Sequence, residues 1–384
     1  MKNLLLLLFL FCSVMLYGQG YTLKLKIENQ STNKFTLAYN IGDDLVIDSS
    51  AVPIDGWMVF KGNIEEPVVA NVIIRNHPKL QIDLDQGMIP GPALRLILSN
   101  DIIEVLGDAN TLYAATVIGG KANTEWATIK SEQAMIEGAN WLLMKKYYAS
   151  KNTMSAEEEK TLISTLTENQ KISNELRNQF LEKNPSSLVS LFYLTEMMYA
   201  ELSLEELKAA YNKIDDTLKS HSYATSIVQL MSNLEKAATG QKAINFQRIT
   251  NNGEKFNLND LKGKYVLLDF WGSWCMPCRQ SHPHLIELYN KYRGDDFELV
   301  GIAFETSKSI EQANYTWKKA IEEDKLKYIN VLNNTDMDQV DIVTAYGISA
   351  FPTKVLLDKN GIIIARWSGD DPGLDRTLKD IFGF

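Results

Sequence analysis

The chain has almost no cysteine. Of its 384 residues only Cys12, Cys275 and Cys278 carry a thiol. Cys12 falls in an apolar N-terminal run, so the remainder holds two cysteines, two residues apart, with no third to pair with either. That excludes the stapled framework of small secreted domains. Long apolar stretches are missing too. The run from Leu4 to Tyr17 falls short of the roughly 20 residues that span a bilayer. It follows the positive start Met1-Lys2-Asn3 and precedes Gly18 and Gly20, so it reads as a signal-peptide core with a small-residue cleavage region. An uncleaved anchor is the alternative. Lipid attachment at Cys12 is disfavoured by the bulky Phe11 in front of it. Positive charge is the third shortage: 48 acidic residues face 39 basic ones, a net −9, or −10 without Lys2, the leader's one charge. Such a balance argues against nucleic acid as a partner. A 45% hydrophobic content over this length supplies cores for two or three domains.

Three patterns follow one another. Tyr21, Leu23, Leu25 and Ile27 alternate with polar residues, the two-residue period of a half-buried strand. Further β-like runs are Phe35–Tyr39, Trp57–Phe60, Val68–Ile74, Leu94–Leu98 and Ile102–Leu106, separated by turn sequences such as Asp55-Gly56. Residues 20–121 are expected to form an antiparallel, sandwich-like β-domain. From 122 to 239 the spacing turns helical, with capping-box starts at Ser155–Glu158 and Ser203–Glu206 and a break at Asn184-Pro185. From 240 to 384 strand and helix alternate. Tyr265–Trp271 and Phe297–Ala303 read as strands, Cys278–Tyr292 as a helix, and Lys354–Leu357 with Ile362–Trp367 as a hairpin. The last helix is expected over Leu374–Phe382.

Trp274-Cys275-Met276-Pro277-Cys278-Arg279 lies where a strand ends and a helix begins. A thiolate is the species that attacks a disulfide, and unpaired N–H groups at a helix N-terminus favour negative charge. Cys275 is placed to be an exposed nucleophile. Cys278 lies one helical turn on, close enough to close a disulfide and resolve a mixed one. Pro277 fits the first turn, which needs no donor from it. A zinc site would have to draw Cys275, Cys278, His282 and His284 together. Pro283 separates the histidines and their side chains diverge on a helix, so redox chemistry outweighs metal binding; no metal or cofactor is expected.

The segment Leu267-Leu268-Asp269-Phe270-Trp271-Gly272-Ser273-Trp274-Cys275-Met276-Pro277-Cys278-Arg279 resembles the active-site segment of thioredoxins, and Tyr346–Thr353, with Phe351-Pro352, resembles their cis-proline loop. Pro283 falls where that family kinks the active-site helix. The leader and the long stretch Ser307–Asp338 resemble the TlpA/ResA-type envelope branch. This resemblance covers about residues 240–384. It implies a C-terminal α/β thioredoxin fold behind the β-domain and the helical segment. For the N-terminal portion the likeness in layout brings no known function.

Carried onto this sequence, the resemblance implies that Cys275 attacks, Cys278 resolves, Pro352 is cis and pairs with substrate backbone, and Asp269 is a buried carboxylate that accepts the Cys278 proton. Trp274, Met276, Pro277 and Phe351 would meet substrate. ResA-type reductases usually carry a glutamate three residues after the second cysteine; this chain has Ser281 there. The implied activity is reduction of disulfides in exported proteins, in the periplasm or cell envelope, fed by a membrane electron donor. The alternatives are a disulfide oxidase or isomerase, a peroxiredoxin-like thiol peroxidase, or a non-enzymatic binding module.

Overall fold

The computed structural model describes residues 20–383 apart from 31–33, 43, 84–87, 151–152, 199–201, 295, 308 and 370. The expected signal peptide at 1–19, Cys12 included, lies outside the described residues. Two units result, residues 1–193 with 213–222 and residues 194–212 with 223–384. No described helix is long and apolar enough to cross a membrane.

The first unit starts with β1 (Tyr21–Glu28), whose alternation buries Tyr21, Leu23, Leu25 and Ile27. β2 (Phe35–Ile41), β3 (Asp44–Asp48), β4 (Val52–Ile54) and β5 (Trp57–Gly62) follow. Asp55 and Gly56 both adopt positive φ, 46° and 80°, as a two-residue hairpin between β4 and β5 demands. Then come β6 (Val68–Ile74), β7 (Gln81–Asp83), β8 (Met88–Pro90), β9 (Leu94–Leu98), β10 (Ile102–Asp108) and β11 (Thr116–Ile118). The sheets β11-β10-β1-β5-β4 and β3-β2-β6-β9 contribute to one apolar core, a sandwich-like arrangement. It is not wholly antiparallel: β1 and β10 pair in parallel. A two-residue period reports which face is buried and is silent on direction. The parallel neighbour arises because the chain leaves for the other sheet and crosses back before β10.

Helix α1 (Lys121–Ser150) continues this unit. Asn123 bonds both the N–H and the carbonyl of Ile97 at 2.8 Å, capping an edge of β9. The Trp141 indole donates to the Lys79 carbonyl at 2.9 Å. α2 (Ala156–Lys183) starts at the Ser155–Glu158 capping box and stops before Pro185, and α3 (Leu188–Phe192) follows. α4 (Leu204–Lys213), with its own Ser203–Glu206 box, and α5 (Ser222–Lys236) fall almost entirely in the second unit. The helical stretch 122–239 is therefore divided, because its two ends are tied to different cores. Asn123 holds one end, and at the other Asn233 donates to the Thr344 carbonyl at 3.0 Å.

The second unit has a short hairpin of β12 (Gln247–Ile249) and β13 (Lys255–Asn257). Its main succession is β14 (Tyr265–Trp271), α6 (Met276–Tyr292), β15 (Phe297–Ala303), α7 (Ile310–Asp324), β16 (Ile329–Leu332), α8 (Ile342–Ala345), β17 (Thr353–Leu357), β18 (Ile363–Ser368) and α9 (Gly373–Phe382). The sheet order is β16-β15-β14-β17-β18, with β14, β15 and β16 parallel and the terminal hairpin antiparallel. This is the α/β thioredoxin fold. The long stretch after β15 supplies α7 and the edge strand β16. β14 sits mid-sheet and is buried almost throughout, so its run is continuously apolar apart from Asp269.

Candidate active site

β14 delivers the chain to the N-terminus of α6, and Cys275 is the residue that caps it. Its Sγ accepts from the Cys278 N–H at 3.2 Å, and Pro277 occupies the first turn. Cys275 and Cys278 are joined in a disulfide. Cys278 is fully buried. Cys275 is only 4% exposed, less than expected of a nucleophile. Phe351 packs against the cluster that holds this cysteine, and around Phe351 the Trp274 ring meets edge to face at 5.6 Å and Phe304 stacks at 6.0 Å. What faces solvent around the sulfur is Trp274, 48% exposed, Met276, 53% exposed, and Pro277.

The loop before Cys275 is fixed from the end of β15. The Trp274 indole donates to the Phe304 carbonyl at 2.9 Å. Buried Glu305 accepts from the Ser273 N–H at 2.8 Å, the Ser273 hydroxyl at 2.5 Å and the Thr316 hydroxyl at 2.9 Å. Residue 272 must be glycine, since a Cβ there would lie 2.6 Å from the Trp274 indole nitrogen and 2.7 Å from the Phe304 carbonyl. Local sequence carries no sign of Glu305, which acts across 32 residues.

The Phe351–Pro352 peptide is cis. Pro352 is buried, its carbonyl accepts from the Gly369 N–H at 2.8 Å, and Phe351 packs into the cluster that holds both cysteines. The structure thus brings Trp274, Cys275, Cys278 and Phe351 together.

Asp269 shares its face of β14 with Leu267 and Trp271, beneath α6. It is 1% exposed and neither carboxylate oxygen has a hydrogen-bond partner. Burial pushes its pKa up, and the charges of Lys354 and His282 pull it partly back. Lys354 stands opposite in β17, itself buried, its ammonium donating to the Gly369 carbonyl at 3.3 Å. A lysine inside an apolar strand was its one sequence signal. Ser281, at the position where ResA-type proteins were expected to differ, donates to the Cys278 carbonyl at 2.8 Å. The histidines part ways: His282 Nδ1 meets Asp324 at 2.7 Å and His284 meets Asp375 at 3.1 Å. Asp324 also takes Arg279. Burial raises the Asp324 pKa, but the bonds from Arg279 and His282 outweigh it and hold the carboxyl below its usual range.

Comparison with known proteins gives two regions. Residues 239–366 match the AhpC/TSA family, and residues 21–126 match a domain of unknown function, DUF4369. The chain is 32% identical over 149 residues to the thiol-disulfide oxidoreductase ResA of Bacillus thuringiensis, covering 38% of this chain and 80% of that protein. It is 32% identical over 130 residues to ResA of Bacillus subtilis, covering 34% of this chain and 67% of that one. Among solved structures, the thioredoxin domain of a thiol-disulfide oxidoreductase from Bacteroides vulgatus is 39% identical, covering 38% of this chain and 97% of that domain, with a TM-score of 0.33.

Proposed function

Because the chain belongs to the ResA family of thiol-disulfide oxidoreductases, we propose that it is an exported reductase that opens disulfides of envelope proteins through Cys275 and Cys278. The observation that carries this reading is the cysteine pair closed at the N-terminus of α6 with an unpartnered carboxylate buried beneath that helix. In the reduced enzyme the Cys275 thiolate attacks one sulfur of a substrate disulfide. A Cys275–substrate bond forms and the other substrate sulfur leaves as a thiolate that takes up a proton. Cys278 then gives its proton to Asp269 and attacks the Cys275 sulfur. The enzyme disulfide closes and the second substrate sulfur departs as a thiolate that takes up a proton. Two electrons have passed from the enzyme dithiol to the substrate.

Trp274, Met276, Pro277 and Phe351 form the contact surface, and the loop at the cis Phe351–Pro352 bond presents its backbone to the substrate chain through Phe351, since Pro352 has no N–H and its carbonyl is taken by Gly369. The leader-like run Leu4–Tyr17 supports an exported location, where the pair needs re-reduction by a membrane electron donor. A thiol peroxidase reading calls for a cysteine left single, whereas Cys275 is closed onto Cys278. The oxidase reading differs only in the potential of the pair.

Equilibration of the full chain against glutathione buffers tests the direction. A reductase gives a potential near that of thioredoxin, about −270 mV or lower; a value near about −120 mV makes the protein a disulfide donor and overturns the proposal. Absence of turnover with any protein disulfide would support the binding-module reading instead.

A further inference from the structure

Beneath α6 the sheet carries a polar row. Lys354, Asp269, Gly301 and Asn330 stand in register across β17, β14, β15 and β16, and the side chains of Lys354, Asp269 and Asn330 are buried. Gly301 has no side chain because none fits. A Cβ there would lie 2.3 Å from the Asn330 amide oxygen and 3.1 Å from the Trp271 indole nitrogen. Over this row lies His282, fully buried, its ring 4.8 Å from that of Trp271 and edge to face with it. His282 is four residues after Cys278 on α6, so the two side chains share one face of the helix, and both are fully buried.

Buried polar atoms are normally paired, and one left alone is costly. Ten such side-chain atoms occur among the described residues, and six belong to Asp269, Trp271, His282, Tyr328 and Asn330. A fold built only for stability would not gather them around one buried carboxylate and one indole. The chemistry of His282 is also constrained. The ionised Asp324 carboxylate can only accept, so Nδ1 carries the shared proton. Nε2 is buried without a partner. It presents a lone pair when the ring is neutral and an N–H when it is charged.

We propose that the His282–Asp324 pair is a positioning pair for the resolving step, its ring supplying the countercharge that Asp269 needs in order to accept the proton of Cys278. This rests on the redox reading above and adds a residue to it. Around the ring, Asp324 from α7 bonds it, the Asp269 carboxyl of β14 feels its charge, and Cys278 lies one turn back on its own helix; Lys354 of β17 and Tyr328 ahead of β16 act on Asp269 in turn. Arg279 is occupied by Glu323 and Asp324. Without the ring, among the described residues Lys354 is the cation left to favour the Asp269 anion. Asp269 then keeps its proton to higher pH, and the accepting form is reached later in a titration.

The test is single-turnover reduction of a model protein disulfide by the reduced full-length chain between pH 5 and 9. His282→Gln should move the acidic limb of the rate profile up by about one unit, a slowing of about tenfold on that limb. His284→Gln, at a side chain paired with Asp375 near the surface, should superimpose on the wild type. A histidine that merely packs would lower stability and leave the limb in place, and that outcome overturns the proposal. If His282→Gln does not fold, the imidazole nitrogen resonances of the wild type decide. Those of His282 should shift between the oxidised and reduced forms, and identical resonances in both forms contradict the pairing. A wild type that reduces no disulfide removes the redox reading itself, an outcome distinct from superimposed profiles in an active enzyme.

Discussion

The two faces of the C-terminal sheet are built from alternate residues of the same strands and serve different ends. One face is closed by Val266, Leu268 and Phe270 of β14, with Val300 and Ile302 of β15 and Val355 of β17. The other has Leu267 and Trp271 from the same β14, but between them lies Asp269, in register with Lys354, Gly301 and Asn330. Burial of apolar area stabilises the first face by about 25 cal/mol per Å². The second gives up part of that to hold unpartnered polar atoms directly under the helix that carries the disulfide. One sheet thus separates stability from chemistry across its thickness, which a parallel strand buried on both sides permits.

Leu268→Ala tests the apolar side and should have the larger effect on stability. Leu268 is fully buried, so truncation should cost about 2–5 kcal/mol in denaturant unfolding. The redox potential of the cysteine pair should stay where it is. A shifted potential would show that the two faces are coupled and break the comparison.

Asp269→Asn tests the other side, with the opposite sign. The folded carboxyl holds its proton to a higher pH than the ordinary value of 3.8. The wild type therefore loses stability as the pH rises from about 4 through the raised value, whereas the amide does not titrate. The variant should match the wild type below about pH 4 and exceed it by about 1–3 kcal/mol once Asp269 has ionised. It should also resolve mixed disulfides more slowly near neutral pH. Urea unfolding at pH 3.5 and 8, with the resolution rate at pH 7, checks both. A variant less stable than the wild type at pH 8 would mean that the ionised carboxylate is favourably held.

Much of this was legible in the sequence because its physics is local. The alternation from Tyr21 to Ile27, the Asp55-Gly56 turn and the capping boxes at Ser155 and Ser203 involve neighbours only. Cys275, Cys278 and the Phe351-Pro352 loop stand out by residue type and order. The parallel pairing of β1 with β10 was hidden, since alternation carries no direction. So was the support around the site. Ser273–Glu305, His282–Asp324 and Asp269–Lys354 join residues that lie far apart in the chain, and no spacing rule links them. His282 in particular read as a metal-ligand candidate, and its aspartate partner on α7 turns that reading toward proton chemistry.

The central claim, that Cys275 attacks and Cys278 resolves, is tested most directly by trapping the mixed disulfide. The reduced Cys278→Ser and Cys275→Ser chains would each be mixed with a protein disulfide and the products weighed by mass spectrometry under non-reducing conditions. Cys278→Ser should accumulate a covalent adduct through Cys275, and Cys275→Ser should give none. An adduct through Cys278, or none from either variant while the wild type turns over, would contradict the assignment.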